Sequence, residues 1–419
     1  MPGLRELTAR SRLKRMARAV TANCVLLLAG ADLAQASTLT LEQALQTAFA
    51  GNPELAAAQW EIGIAEGDRK QAGLIPNPEV SWEAEDTRRD SRTTTVMLSQ
   101  PIELGGKRGA RIDVASRAQD AAGIELERKR NALRADVIQA FNSAQTAQQR
   151  LQLSGQSLQL AEHGLRVAQG RIEAGKSSPV EGTRAQVQLS EVRLELSRAE
   201  RDQANAYQQL AQVMGAPLPT STTVQSFMQG MSLPSSTRLL ERLNETAELR
   251  LAKLQIDQRE ASLALEKSQR IPDLTVSIGS QYSETDRERV NVIGLSMPIP
   301  LFNRNQGNVL AAARRSDQAR DLRNATELRL RTEIQTTLEQ WQTANAEVKA
   351  FNQTILPAAQ SAVDSATRGF EMGKFGFLDV LDAQRTLISA RSQYIQAVSE
   401  ATDARVRIER IFGDLAASP

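Results

Sequence analysis

Two aspartates three residues apart, Asp379 and Asp382, follow a glycine turn and an aromatic patch in the stretch EMGKFGFLDVLDAQRTL, residues 371–387. Acids in the first turn of a helix favour its dipole by roughly 0.3–1 kcal/mol, so capping is the first chemistry they offer. Other chemistry is scarce. The chain has one histidine, His163, within a helical stretch beside Gly164, and one cysteine, Cys24. A soft-metal site of His and Cys cannot be assembled within one such chain. Gly105-Gly106-Lys107 lacks the glycine spacing and the Ser or Thr of a phosphate loop, and glycine there suits a bend from strand to helix. The single histidine lies within a long helical stretch and makes no convincing Ser/His/Asp set. No catalytic residue, metal ligand or cofactor is expected, and no enzymatic activity.

The turn before the aspartates occurs twice. EAGKSSPVEGTRAQVQL at 173–189 matches it at an offset of 198 residues, placing Glu173, Gly175 and Lys176 on Glu371, Gly373 and Lys374. Glu181 and Arg184 then stand where the later copy has Asp379 and Asp382. Pro78-Glu79-Val80-Ser81 is echoed by Pro272-Asp273-Leu274-Thr275, and Gln100-Pro101-Ile102-Glu103-Leu104 by Met297-Pro298-Ile299-Pro300-Leu301. One architectural unit is written twice. The first repeat is expected at 37–216, a Pro/Ser/Thr-rich connector at 217–236, the second repeat at 237–413 and a tail at 414–419.

Each repeat must position its turn with the same elements: a helix, two strands, a very long helix and a returning helix. The opening helix is expected at about 40–72, with Leu41, Leu45, Ala48 and Phe49 on one face. The long helix is expected at about 107–172. Along it Leu133, Val137, Ala140, Ala144, Ala147 and Leu151 begin a seam stepping by three and four. At 1.5 Å per residue it approaches about 100 Å. Helices at about 308–371 and 377–412 repeat the pattern, with Pro357 bending the outbound one. Aromatics are only 4%, which favours thin helical seams over a thick core. With 51 Lys and Arg against 49 Asp and Glu, no global charge points to nucleic acid.

Strands are expected at about 79–87, 93–103, 273–283 and 289–299. Val80, Trp82 and Ala84 alternate with Glu79, Ser81, Glu83 and Glu85, and Leu274, Val276 and Ile278 with Thr275, Ser277 and Gly279. Strands of this length, apolar on one face and polar on the other, suit an outer-membrane barrel. Four strands cannot close one, and open edges do not survive in lipid. Several chains must share a barrel; three would supply twelve strands, with their helices stacked into a tube below. An export signal is expected at 1–36: a basic region from Arg5 to Arg18, an apolar run around 25–29, and Ala34-Gln35-Ala36 before a mature start near Ser37. Cys24 precedes the apolar run, so the mature chain has no lipoprotein anchor.

Tandem helix–hairpin–helix halves, with Phe370-Glu371-Met372-Gly373 before Leu378-Asp379-Val380-Leu381-Asp382-Ala383, resemble the TolC-type outer membrane efflux proteins. The junction Gln100-Pro101-Ile102-Glu103-Leu104-Gly105-Gly106-Lys107-Arg108 is similar to that of the heavy-metal, cobalt–zinc–cadmium branch. The resemblance implies a mainly α fold with a small β part: long α-hairpins forming a trimeric α-barrel, and four strands per chain in a shared twelve-stranded β-barrel. It implies a homotrimer in the outer membrane of a Gram-negative bacterium, with a long periplasmic extension. Its role would be the exit duct of a tripartite pump for heavy-metal cations. The implied partners are outer membrane lipid, a periplasmic adaptor and an inner-membrane transporter of the resistance–nodulation–division class, without nucleic acid. A duct for drugs or secreted polypeptides fits the same fold; a periplasmic coiled-coil scaffold would have no use for the strands.

By the same resemblance Asp379 and Asp382 constrict the periplasmic end, where up to six carboxylates around one axis would attract cations. Gly175, Lys176, Gly373 and Lys374 form the tip turns that meet the adaptor. Many relatives carry Tyr at the position of Phe370, and a polar or basic residue at that of Phe375. Without that tyrosine two alternatives stand: Lys374 or Arg385 pairs with the aspartates, or the gate is apolar through Phe375 and Phe377.

Overall fold

The computed structural model describes residues 38–176, 178–219, 222–225, 233–372 and 374–414. The expected export signal with Cys24, Gly373, part of the connector and the tail beyond 414 lie outside the described residues. A short strand β1 (Thr38–Leu39) leads into helix α1 (Leu41–Gly51), which Thr40 and Gln43 open with a reciprocal capping box. Helix α2 (Pro53–Ala72) follows at once. The single opening helix expected at 40–72 is therefore two. Asn52 adopts extended backbone and its side chain accepts the Glu54 and Leu55 amides, while Pro53 brings no N–H of its own.

Strands β2 (Glu79–Glu85) and β3 (Thr93–Ile102) precede α3 (Lys107–Glu173), whose 67 residues reach about 100 Å. Helix α4 (Pro179–Met214) returns beside it. Strand β4 (Thr223–Val224) pairs in parallel with β1, a contact not expected from two-residue segments. The second repeat runs through α5 (Ser236–Glu241), a 3-10 turn, α6 (Ala247–Ser268), β5 (Leu274–Ser283), β6 (Glu288–Ser296) and α7 (Gln306–Ala350). A π turn at Phe351–Ile355 separates α7 from α8 (Leu356–Glu371), and α9 (Phe377–Phe412) returns. Pro357 thus stands beside the break in the outbound helix. It sits in the first turn of α8, after the wide π turn has already broken the hydrogen-bond ladder.

Both repeats bury their large side chains at equivalent heights. In the first, Leu133, Val137 and Phe141 of α3 meet Leu210 and Met214 of α4 and Ala44 and Ala48 of α1. In the second, Leu330, Ile334 and Leu338 of α7 meet Ile408 and Ile411 of α9 and Leu239 of α5. Away from these two clusters the helices touch through thin seams. Near the strands α3 is flanked by α2 and α6; toward the turns it is flanked by α4 and α9. The long helices change partners halfway, so a narrow helical layer continues from the sheet to the tips.

The strands form one antiparallel sheet in the order β2-β3-β5-β6. Its centre is the pairing of the two repeats, from Thr93 opposite Ser283 to Ile102 opposite Leu274. Boundaries differ from expectation by a few residues. Strand β2 stops at Glu85 because Asp86 turns to a φ of 61°. Strand β6 stops at Ser296, before Pro298 and Pro300 remove two ladder donors.

Candidate functional site

Cross-strand register sorts the sheet into two faces. Val80, Trp82, Val96, Leu98, Ile278, Ile293 and Leu295 fall on one, and all are exposed. The other carries Glu79, Ser81, Glu83 and a hydroxyl contact of 2.9 Å between Ser99 and Ser277. Met97, Val290 and Val292 also lie there, so this face is less uniformly polar than strict alternation implied. Strands β2 and β6 each pair on one side only. Beyond the strand ends the turns are charged and tied together. Asp86 accepts from Arg88 and Ser91, which hold its carboxyl well below the usual range, and Arg92 pairs with Glu284 at 3.5 Å.

At the other end of the strands, Gly105 and Gly106 turn the chain into α3 with φ of 72° and 74°. Gly105 is doubly constrained, since a Cβ there would come within 2.9 Å of the Ile271 Cβ and 3.0 Å of the Ser268 carbonyl. Lys107 reaches across the repeats to Asp273 at 2.6 Å, and the same carboxylate oxygen accepts the Leu104 amide at 3.2 Å. Arg108 donates to the Gly73 carbonyl at 2.7 Å. Arg111 clasps Glu103 with both terminal nitrogens, and this hydrogen bonding lowers the Glu103 pKa. At the expected junction Lys107 is thus held by Asp273 and Arg108 by the Gly73 carbonyl, with the Glu103–Arg111 pair beside them; of these Arg111 is the residue that the sequence motifs did not include.

At the hairpin tips, Gly175 closes α3 with a φ of 66°, its amide on the Ile172 carbonyl, while Lys176 donates its amide to Arg171. Lys374 and Phe375 donate theirs to the Gly369 carbonyl. The ring of Phe375 lies on Gly369, where any Cβ would overlap it. In the first hairpin the roles are exchanged: Ile172 of the outbound helix lies on Gly182 of the returning one. Phe375 therefore folds onto its own hairpin while staying 50% exposed.

The two aspartates part ways. Asp379 accepts the Gly376 amide at 2.7 Å and so caps α9. Asp382 is exposed on the next turn. Neither pairs with Lys374 or Arg385 in the described residues, and both cations are exposed. The link between hairpins is made by a residue that sequence reasoning missed. Arg171, at the end of α3, places its guanidinium 5.9 Å from the ring centroid of Phe370, at the end of α8. In the sequence it is one more charged residue at a helix end, 199 residues from Phe370. His163 is exposed on α3. Among the described residues no group of three or more His, Cys, Asp or Glu is placed to hold a metal, and no helix is long and apolar enough to cross a membrane.

Deeper along the same interface α3 and α9 exchange polar contacts and then bury an apolar cluster of Ala135, Ile138 and Val406. Asn142 donates to Ser399 and Asp403 at 3.4 Å, Arg150 to Gln396, and Arg391 to Gln156 at 3.0 Å.

The chain matches the family described as Outer membrane efflux protein over residues 44–216 and 240–414. It is 39% identical over 379 residues to the Cobalt-zinc-cadmium resistance protein CzcC of Cupriavidus metallidurans, covering 90% of this chain and 91% of that one. The Nickel and cobalt resistance protein CnrC of the same organism is 27% identical over 308 residues, with 72% and 73% covered. Among solved structures, the Campylobacter jejuni CmeC outer membrane channel superposes with a TM-score of 0.76 at 17% identity, covering 89% of this chain and 85% of that one.

Proposed function

Because the chain belongs to the outer membrane efflux protein family, we propose that it is the exit duct of a tripartite pump that expels heavy-metal cations. One observation carries the duct: a four-stranded sheet with two unpaired edges and a bare apolar face stands on helices of about 100 Å. Lipid accepts such a sheet only when its edges are closed by further copies, and three chains give a twelve-stranded barrel. The cargo rests on the likeness to CzcC, a cobalt-zinc-cadmium resistance protein, over nine-tenths of both chains. Cations pass through without a resident site, and their selection belongs to a periplasmic adaptor and a proton-driven inner-membrane transporter.

The gate in this reading is the tip of the α8–α9 hairpin, held to the α3–α4 hairpin by Arg171 and Phe370. The Arg and Gln contacts in the tip half of the α3–α9 interface favour movement there, because they can re-form with water, while the apolar cluster of Ala135, Ile138 and Val406 holds the other half. Phe375 narrows the tip, Asp382 supplies exposed charge and Asp379 both caps and contributes charge. Lys374, Lys176 and the turn at Gly175 present the surface for the adaptor, and Arg385 stays with the gate. The test is tolerance in cells that keep the adaptor and transporter but lack this chain. Its return should restore growth in zinc, cobalt or cadmium, and Ile293→Asp on the apolar sheet face should not. Restored tolerance to organic toxicants alone would overturn the cargo.

A further inference from the structure

The apolar face of β6 does not end where its hydrogen bonds end. Ile293 and Leu295 lie in the sheet, and the same every-second-residue pattern continues through Met297, Ile299 and Leu301, exposed by 78, 71, 51, 75 and 63%. Phe302 follows at 91%, the most exposed large apolar side chain among those described. The chain then turns polar at Asn303, Arg304 and Asn305, and Asn305 anchors to α6 through the Glu266 carbonyl at 2.9 Å.

Two magnitudes bear on what covers this segment. A barrel's apolar band is about 25 Å tall with strands tilted by about 40°. Of the nine residues of β6 only the stretch from Ile293 to Ser296 is apolar on this face, and at about 3.3 Å per residue it contributes less than about 10 Å of that height. Continued to Leu301 it contributes about 20 Å. The second concerns the backbone. Unpaired N–H groups are not tolerated in lipid; here Pro298 and Pro300 bring none and the Leu301 amide bonds to the Ile299 carbonyl at 2.9 Å, so three of the six positions from 297 to 302 present no free N–H. The lead-in to β2 at the same end of the sheet has the same character, with Leu74 and Ile75 exposed before Pro76 and Pro78.

We infer that residues 297–302 are a lipid-embedded extension of the barrel wall, seated in the periplasm-side leaflet of the outer membrane with Arg304 at headgroup level. This rests on the barrel reading of the sheet and places the membrane boundary some residues beyond the last strand hydrogen bond.

The test uses the full chain with Cys24→Ser, reconstituted in vesicles of phosphatidylethanolamine and phosphatidylglycerol. Single cysteines replace Ile293, Ile299, Phe302 or His163, and each carries a nitroxide. Collision with oxygen reports lipid, and collision with a water-soluble nickel chelate reports water. Labels at 299 and 302 are expected to match 293, high in oxygen and low in nickel contact, with 163 the reverse. Nickel contact at 299 and 302 with lipid contact at 293 would overturn the inference and leave the barrel. Exclusion of both probes at 299 and 302 would place them against another copy of the chain and also overturn it. Nickel contact at 293 would remove the barrel reading and the inference together. Where a labelled chain fails to assemble, Phe302→Trp with Trp82→Phe, quenched by brominated lipid chains, gives the same decision.

Discussion

Arg171 and Phe370 define a perturbation with a calculable size. Their contact joins the ends of the two outbound helices across the hairpin boundary. A partly exposed cation–π pair contributes about 0.5–1 kcal/mol. In a trimer three pairs separate together when the tip opens, so removing the guanidinium should destabilise the closed state by about 1.5–3 kcal/mol. At 1.36 kcal/mol per factor of ten, Arg171→Met should raise the open-to-closed ratio about 10- to 150-fold. Single-channel open probability reads this ratio directly. Phe370→Leu should give a similar rise, and the double variant no more than either alone, because both remove the same contact. Fully additive effects, or no change in open probability for Arg171→Met, would refute the assignment of this pair to the gate.

Other expectations follow from single contacts. Asp379→Asn keeps an acceptor for the Gly376 amide and Asp379→Ala does not, so only the alanine variant should speed amide exchange in the first turn of α9, by a cap worth about 1 kcal/mol. Both should lower cation preference if the charge serves the aperture. Gly105→Ala should cost more folded protein than Gly106→Ala on thermal unfolding. Both strain a left-handed backbone, by about 1–2 kcal/mol, but only the first meets Ile271. Burial between α3 and α9 raises the Asp403 pKa above its ordinary 3.8, against the Asn142 hydrogen bond. The folded chain then holds that proton to higher pH than the unfolded one, so stability falls as pH rises through this interval. Asp403→Asn should raise Tm near about pH 7 and leave it unchanged below the ordinary carboxylate range.

Much of this architecture could be read from residues in order. The repeat of glycine turns, the alanine-rich seams and the alternation around Val80, Trp82 and Ile278 each reflect a period that local geometry imposes. Gly105-Gly106 announced a turn because few other residues adopt positive φ. The break at Asn52 was also legible, as a cap followed by proline, but the flanking apolar pattern hid it. What could not be read lies between distant segments. The β1–β4 pair has two residues a side, too few for a periodic signal. Arg171 looks like any charged residue on a helix end until folding brings Phe370 to it. Likewise Lys107 and Asp273, 166 residues apart, meet only when the repeats pair. Of the two alternatives for the gate, pairing of the aspartates with Lys374 or Arg385 is not formed among the described residues of one chain. The helix cap drew Asp379 to the Gly376 amide instead.

Most directly, the central claim is tested by current through the purified protein in a planar bilayer. A gated duct predicts a small, cation-preferring conductance that grows when Arg171→Met releases the hairpins and loses its preference in Asp379→Asn/Asp382→Asn. An assembled trimer that passes no current in any of these forms, or that prefers anions, would contradict it.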